Sequence, residues 1–458
     1  MPQQSISKKE NKMGTMPVPR LVISMSTPIM FSMLVQALYN IVDSIFVSMQ
    51  SEMALTAVSL AFPIQNLLIS VAVGTSVGMN SLLSRKLGSK EQVLAEKCAN
   101  NGLTLAFISW GVFAVLGLLF SRKFYTLFTD DSQLLSMCAS YTMICLVISL
   151  GMFIDIMCER IMQATGDTIH PMIVQITGAV TNIILDPIMI FGLFGFPKLG
   201  VTGAAVATVI GQHVSCLLAL HFVRKNPEVQ IRRKYLPLEK ETVKGIYAVG
   251  VPSIIMQSIG TLMTTGFNKI IIAYGTSAVA VFGVYFKLQS FVFMPIFGLN
   301  SGMIPVMGYN YGARKPRRII QTQKTGMKIS LTIMAIGFII FFLFPHTLLS
   351  WFNASEEMYR IGEIALRRIS FCFVFAGFSI TLMSLFQAIG DGYLSMIISV
   401  TRQLVVLLPA AYLLSRFWGL DAVWYAFIIA EISSFILTII FYRMEYLRKI
   451  KPLETKGK

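Results

Sequence analysis

Hydrophobic residues in this chain gather in blocks of about twenty or more, separated by short polar segments. None shows the strict alternation of a half-buried strand. About twenty residues is what an α-helix needs to cross roughly 30 Å of hydrocarbon, where each backbone N–H and C=O must be satisfied within the segment. The blocks predict twelve helices, at roughly 18–48, 54–84, 94–120, 135–157, 170–191, 201–223, 246–273, 278–308, 324–345, 361–388, 394–415 and 420–442. Several exceed twenty residues and are expected to tilt, bend or protrude. The first fifteen residues, MPQQSISKKENKMGT, hold no short apolar core with a cleavage site, so no removable signal peptide is expected.

The pattern repeats. A shift of 224 residues pairs Pro28 with Pro252, Ala54 with Ala278, Gln65 with Gln289, Gly74 with Gly298, Gly78 with Gly302 and Gly88 with Gly312. The same shift carries MQATGD (162–167) onto FQAIGD (386–391). One register held over that length, on Pro, Gly and Gln, marks two copies of a six-helix unit. The expected fold is an all-α integral membrane protein with twelve transmembrane helices in two six-helix lobes, residues 1–223 and 246–458, joined by a cytoplasmic linker at 224–245. Because six is even, each copy starts and ends on one side, so the lobes are expected to be related by a pseudo-two-fold along the membrane normal. By architectural analogy, such halves bind a substrate between them and rock between two openings.

Composition agrees: 55% of the 458 residues are hydrophobic and 13% charged, with a mean hydropathy of +0.69, where soluble domains carry roughly a quarter charged residues. The net charge of +16 invites a nucleic-acid reading, but the cations lie in alternate connections. They run from Lys8, Lys9, Lys12 and Arg20 through Arg85 and Lys86, Arg232 to Lys234 and Arg314 to Arg318, to Lys449, Lys451, Lys456 and Lys458. The other loops hold few, such as Arg122, Lys123, Lys198 and Arg416. That bias puts both termini in the cytoplasm and accounts for the charge through orientation and anionic lipid, without nucleic acid. Six cysteines show neither a Cys-x-x-Cys pair nor accompanying histidines and are expected as core residues, not a disulfide or metal set. No phosphate-binding Gly-x-x-x-x-Gly-Lys-[Ser/Thr] loop is present, so uphill transport would need an ion gradient, and no cofactor is expected beyond the coupling ion.

The candidate chemistry is a set of buried acids. Asp43 stands alone in an apolar run, with Gln36 and Asn40 at i−7 and i−3 on one helical face. In the fifth helix Gln175, Asn182 and Asp186 form a second such line. Both acids are expected in the outer half of the membrane. If the two helices pack, the carboxylates could share a proton or hold a sodium ion among oxygens, helped by Thr208. The alternative is that each acid accepts a structural hydrogen bond. The second copy replaces Gln36, Asn40 and Asp43 by Gly260, Thr264 and Phe267, which confines coupling to the first lobe. Pro28, mid-helix, is expected to kink or hinge the first helix below Asp43, and Pro187 frees the Ile183 carbonyl. Arg402 and Glu431 fall at similar depth and are expected as a structural ion pair, with a substrate role as the alternative. Lys287, Arg367 and Arg368 face the cavity or snorkel, Lys269 snorkels, and the paired Gly-x-x-x-Gly segments mark close helix packing.

The segments YNIVDSIFV, RKLGSK, QATGDTIHPM, TNIILDPIMIFG and GVTGAAVATVIGQ, with Pro28 and the second-half echoes YNYGARK and QAIGDG, resemble the multidrug and toxic compound extrusion (MATE) family, most closely its MepA-like and DinF-like bacterial branches. The resemblance spans nearly the whole chain. It implies two lobes around a V-shaped cavity in a bacterial plasma membrane, and export of cationic or lipophilic drugs in exchange for protons or sodium. Carried over, the family's coupling site falls on Gln36, Asp43, Asn182, Asp186 and Thr208, and its bending-helix proline on Pro28. Some members also carry acids in helices 7 and 10, where this chain has Lys269, Arg367 and Arg368, against a second-lobe cation site.

The leading expectation is therefore a monomeric secondary multidrug antiporter working by alternating access. The rival is a flippase for a lipid-linked saccharide or other anionic lipid, served by the cations of helices 8, 10 and 11. An enzyme is not expected, because no His/Asp/Glu cluster has catalytic or metal spacing.

Overall fold

The computed structural model describes residues 10–455 apart from Asn353, so that Lys8, Lys9, Lys456 and Lys458 lie outside the described residues. Every regular element among the described residues is a helix. The first lobe holds α1 (Val18–Gln50), α2 (Glu52–Gly88), α3 (Gln92–Tyr125), α4 (Ser132–Val147 and Leu150–Ala164), α5 (Ile169–Phe191) and α6 (Val201–Arg224). The second holds α7 (Lys240–Ile271), α8 (Thr276–Gly312), α9 (Pro316–Leu343), α10 (Glu356–Ser370 and Cys372–Ile389), α11 (Gly392–Val400, Thr401–Leu407 and Leu408–Trp418) and α12 (Tyr425–Glu445). Eleven apolar helices are long enough to span, and the two pieces of α4, bent by 45°, make a twelfth.

Two expected spans are revised. α4 continues to Ala164, well past residue 157, and bends near Ile148. α10 is interrupted at Phe371, and its apolar span is Cys372–Ile389, so Arg367 and Arg368 belong to a preceding amphipathic piece. That piece alternates charged and apolar residues at helical spacing, and its buried stripe, including Ile361, Ala365 and Ile369, faces the lobe core.

The lobes meet through the repeated glycines. A Cβ on Gly78 of α2 would stand 2.1 Å from the Ile246 carbonyl oxygen of α7, and one on Gly302 of α8 would stand 2.6 Å from Ser26 Oγ of α1. Near the ends of α2 and α8 the relation is reciprocal: a Cβ on Gly88 would lie 1.9 Å from the Tyr309 carbonyl oxygen, and one on Gly312 would lie 2.0 Å from that of Arg85. Arg85 and Tyr309 are themselves 224 residues apart, so the pseudo-two-fold passes between α2 and α8. Only residues without a side chain let backbones come this close.

The described chain begins and ends at this tightly packed end, where Glu10 pairs with Lys315 and Lys449 with Asp391. Arg85 Nη1 donates to the Ile389 carbonyl at 2.8 Å, and Ser26 Oγ to that of Leu299 at 3.2 Å. The described hydrogen bonds between the lobes extend as far as Asn66 Nδ2 to Thr261 Oγ1, 2.6 Å, and none lies farther toward the opposite end. The two largest apolar cores also separate, one drawn mainly from the first lobe and the other wholly from the second. The segment between α6 and α7 is moored on α3, where Asn101 donates to the Tyr235 and Pro237 carbonyls and Asn100 to that of Gln230.

α1 runs unbroken through Pro28. The ring deprives the Ser24 carbonyl of its helical donor, and the Thr168 hydroxyl takes that place at 3.3 Å. The QATGDT segment thus caps the irregularity in α1.

Candidate functional site: a carboxyl pair in the first lobe

α1 packs on α5, and α5 on α6. This brings the two polar lines of the sequence together. Gln175 Nε2 donates to Gln36 Oε1 at 2.5 Å, fixing the register of the helices. About two turns farther on, the Asp43 and Asp186 carboxyl groups are in hydrogen-bonding contact. Asp186 is fully buried and Asn182 nearly so, while Asp43 is half-buried.

Asn182 links α5 to α6. With its amide turned so that each end meets a complementary group, Nδ2 donates to Asp186 Oδ2 at 2.8 Å, and Oδ1 accepts from the Thr208 amide at 3.0 Å and its hydroxyl at 3.2 Å. Thr208 also meets the Tyr39 hydroxyl. Asp43 Oδ1 is buried and has no hydrogen-bond partner among the described residues.

Of the sequence candidates, Asp43, Asn182, Asp186 and Thr208 converge, Gln36 pairs with Gln175 about two turns away, and Asn40 lies on an exposed edge of α1. Tyr39 comes up against Thr208, and its position one turn before Asp43 was the available signal. Sequence reasoning also missed the wall behind Asp43, where Gln65 Nε2 donates to Tyr141 Oη at 3.2 Å and approaches Cys145 Sγ at 3.5 Å. It passed over Asp155 and Glu159 as well, one turn apart in the second piece of α4, with Asp155 Oδ1 buried and unpartnered among the described residues.

The second lobe fills the equivalent place with rings. Phe267, the counterpart of Asp43, is fully buried, 4.4 Å from the Phe282 ring and 5.1 Å from that of Phe427 between centroids. Nearby, Arg402 Nη1 donates to Glu431 Oε1 at 2.7 Å, so the expected pair forms. It is set in the π-helical stretch Thr401–Leu407 of α11, and Glu431 Oε2 is buried without a partner among the described residues. Arg368 is committed elsewhere, to the Asp421 carbonyl and the Tyr425 ring, 4.8 Å away. Lys287 is exposed, and all six cysteines are free and buried. Among the described residues no His/Cys/Asp/Glu group could hold a metal ion.

The MatE family model matches residues 28–188 and, 224 residues on, 252–413. The chain belongs to the MatE family. It is 28% identical over 402 residues to the probable multidrug resistance protein YoeA of Bacillus subtilis, covering 86% of this chain and 87% of that one. To the multidrug export protein MepA of Staphylococcus haemolyticus it is 25% identical over 428 residues, 93% of each chain. A solved structure described as the outward-facing conformation of a multidrug resistance MATE family transporter superposes with a TM-score of 0.91 at 26% identity, over 98% of this chain and 99% of that one. The MatE chain is thus a multi-pass protein of a bacterial multidrug efflux family, a transporter rather than an enzyme.

Proposed function

We propose that this chain exports cationic or lipophilic compounds in exchange for protons, as a monomer in the bacterial plasma membrane with both termini in the cytoplasm. The observation that carries the reading is the contact between Asp43 and Asp186. Two carboxyl oxygens in hydrogen-bonding contact need a proton or a cation between them, because two bare carboxylates repel. Asn182 favours the proton: its amide N–H faces Asp186 and its oxygen is engaged by Thr208, whereas a sodium ion would have to be met by the oxygen. The absence of an equivalent acid at Phe267 makes the coupling one-sided.

The fold supports the following cycle. Asp43 and Asp186 lie in the half of the protein beyond the reach of the inter-lobe hydrogen bonds, which with cytoplasmic termini is the outer half. A proton entering there joins α1 to α5. Its loss toward the cytoplasm restores repulsion between the carboxylates and lets the outer part of α1 swing from α5 about Pro28. Because α1 also packs on α8 at Gly298 and Gly302, where Cβ atoms would stand 2.6 Å from Met30 Cα and from Ser26 Oγ, its position is felt by the second lobe. Substrate bound between the lobes is released outward as the pair takes up its proton.

The test is efflux of an ethidium-like cation in everted vesicles, first with a pH step and then with a sodium step at fixed pH. Proton coupling expects a response to the first alone; a response to sodium alone overturns it. Asp43→Asn at wild-type expression is expected to abolish the pH response. The rival, a flippase for an anionic or saccharide-linked lipid, would instead move a fluorescent anionic lipid and leave the dye in place.

A further inference from the structure

The second lobe carries a polar groove that this scheme does not use. α7 and α11 touch where a Cβ on Gly266 would meet Leu408 Cδ1 at 2.9 Å. Beyond that point, toward the end opposite the termini, they enclose a groove of about 550 Å³ lined by Lys269, Tyr274, Tyr412, Ser415 and Arg416 among others. Tyr274 Oη closes its rim by donating to the Ser415 carbonyl at 2.6 Å. Lys269 and Arg416 both reach the groove, and neither makes an ion pair or hydrogen bond among the described residues.

Each cation stands above exposed apolar side chains of its own helix. On α7, Leu262 is 60% exposed, seven residues and about 10 Å below Lys269. On α11, Val405 at 60% and Tyr412 at 58% lead up to Arg416. Phe417 and Trp418, 68% and 69% exposed, stand beside it, and aromatic residues collect at the level of lipid headgroups. Convergent cations above two parallel apolar tracks match an amphiphile with an anionic head.

We propose that the α7–α11 groove binds an anionic phospholipid, with its phosphate between Lys269 and Arg416 and an acyl chain along Leu262 and Val405. The competing account is that each cation merely complements the negative end of its own helix. That account predicts no preference among lipids. The proposal rests on the chain spanning a membrane and not on what it transports, so it and the exporter reading fail separately.

The test uses the full chain in nanodiscs of mixed phosphatidylcholine and phosphatidylglycerol, with co-purifying lipid counted by native mass spectrometry. The wild type is expected to retain phosphatidylglycerol in preference. Lys269→Gln with Arg416→Gln is expected to weaken that retention about tenfold to thirtyfold, since each cation near a lipid surface contributes on the order of a factor of five. Arg122→Gln with Lys198→Gln, which removes two cations from other connections, is expected to leave it unchanged. Equal retention of the two lipids, or undiminished phosphatidylglycerol on the groove variant, overturns the proposal. So does an equal loss on the control variant, which would reduce the effect to net charge. Circular dichroism and thermal unfolding of both variants establish that the fold is kept.

Discussion

Gly88→Ala adds one methyl group at one of the tightest backbone crossings between the lobes. Its Cβ would lie 1.9 Å from the Tyr309 carbonyl oxygen, whereas carbon and carbonyl oxygen approach no closer than about 3.3 Å. The strands of backbone on both sides are helical, so no rotamer relieves the clash, and the helices must part by about 1.4 Å. Overpacking of this kind costs about 1–3 kcal/mol. The cost falls only on the state in which the termini-bearing end is closed, because the clash vanishes once the lobes separate there. The expected shift between the two states is therefore about five- to 150-fold toward the one open at that end. Spin labels on Val93→Cys and Arg317→Cys, both exposed and on opposite lobes, report the separation by double electron–electron resonance against a background of buried native cysteines. Gly312→Ala, the two-fold mate, is expected to act alike, and Gly111→Ala, where a Cβ meets nothing within 4 Å, to do nothing. A Gly88→Ala distance distribution superimposable on that of the wild type would refute the reasoning.

Other outcomes are expected. Arg402→Gln leaves Glu431 buried and unpaired and is expected to destabilise the protein by about 3–5 kcal/mol, while Arg402→Met with Glu431→Leu recovers most of the loss, both read by thermal unfolding in detergent. Asn182→Leu, which strips Asp186 of its donor, is expected to reduce pH-driven efflux at least tenfold, whereas Thr208→Val, which keeps the backbone N–H on Asn182, costs about 1 kcal/mol or less in the same assay. At the surface, the Lys315 ammonium holds the Glu10 carboxyl below its ordinary value. A lowered carboxyl contributes stability above its unfolded value and loses it as pH falls through the lowered one. Glu10→Gln is accordingly expected to change stability at pH 7 by about 0.5 kcal/mol or less, screened as it is by solvent, and to change nothing near pH 2.

The helical period made much of the site legible. Residues at i, i+7 and i+11 share a face whatever the tertiary context, so Gln36 with Asp43, and Gln175 with Asn182 and Asp186, could be read off the chain. The 224-residue register likewise carried the glycines that turn out to form the lobe crossing. Less legible was the choice between neighbours on one face: Asn40 and Tyr39 are adjacent in sequence, and only the position of α6 selects Tyr39 as the partner of Thr208. The bend in α4 and the interruption of α10 at Phe371 escaped for a related reason. Hydropathy averaged over a window registers an apolar span but not where a helix changes direction, and so it places Arg367 and Arg368 inside a membrane span that they in fact precede.

By itself, then, the sequence determined that this is a two-copy helical membrane protein whose Asp43 and Asp186 lines have no counterpart of Asp43 in the second copy, where Phe267 stands. These properties depend on composition, length and short-range periodicity, which the chain carries locally. Tertiary structure alone decided that Asp43 meets Asp186, that Thr168 serves the carbonyl Pro28 leaves free, and that Lys269 converges with Arg416. Each joins residues more than a hundred positions apart, and their meeting depends on which helices pack side by side, a matter of complementary surfaces that no local pattern encodes.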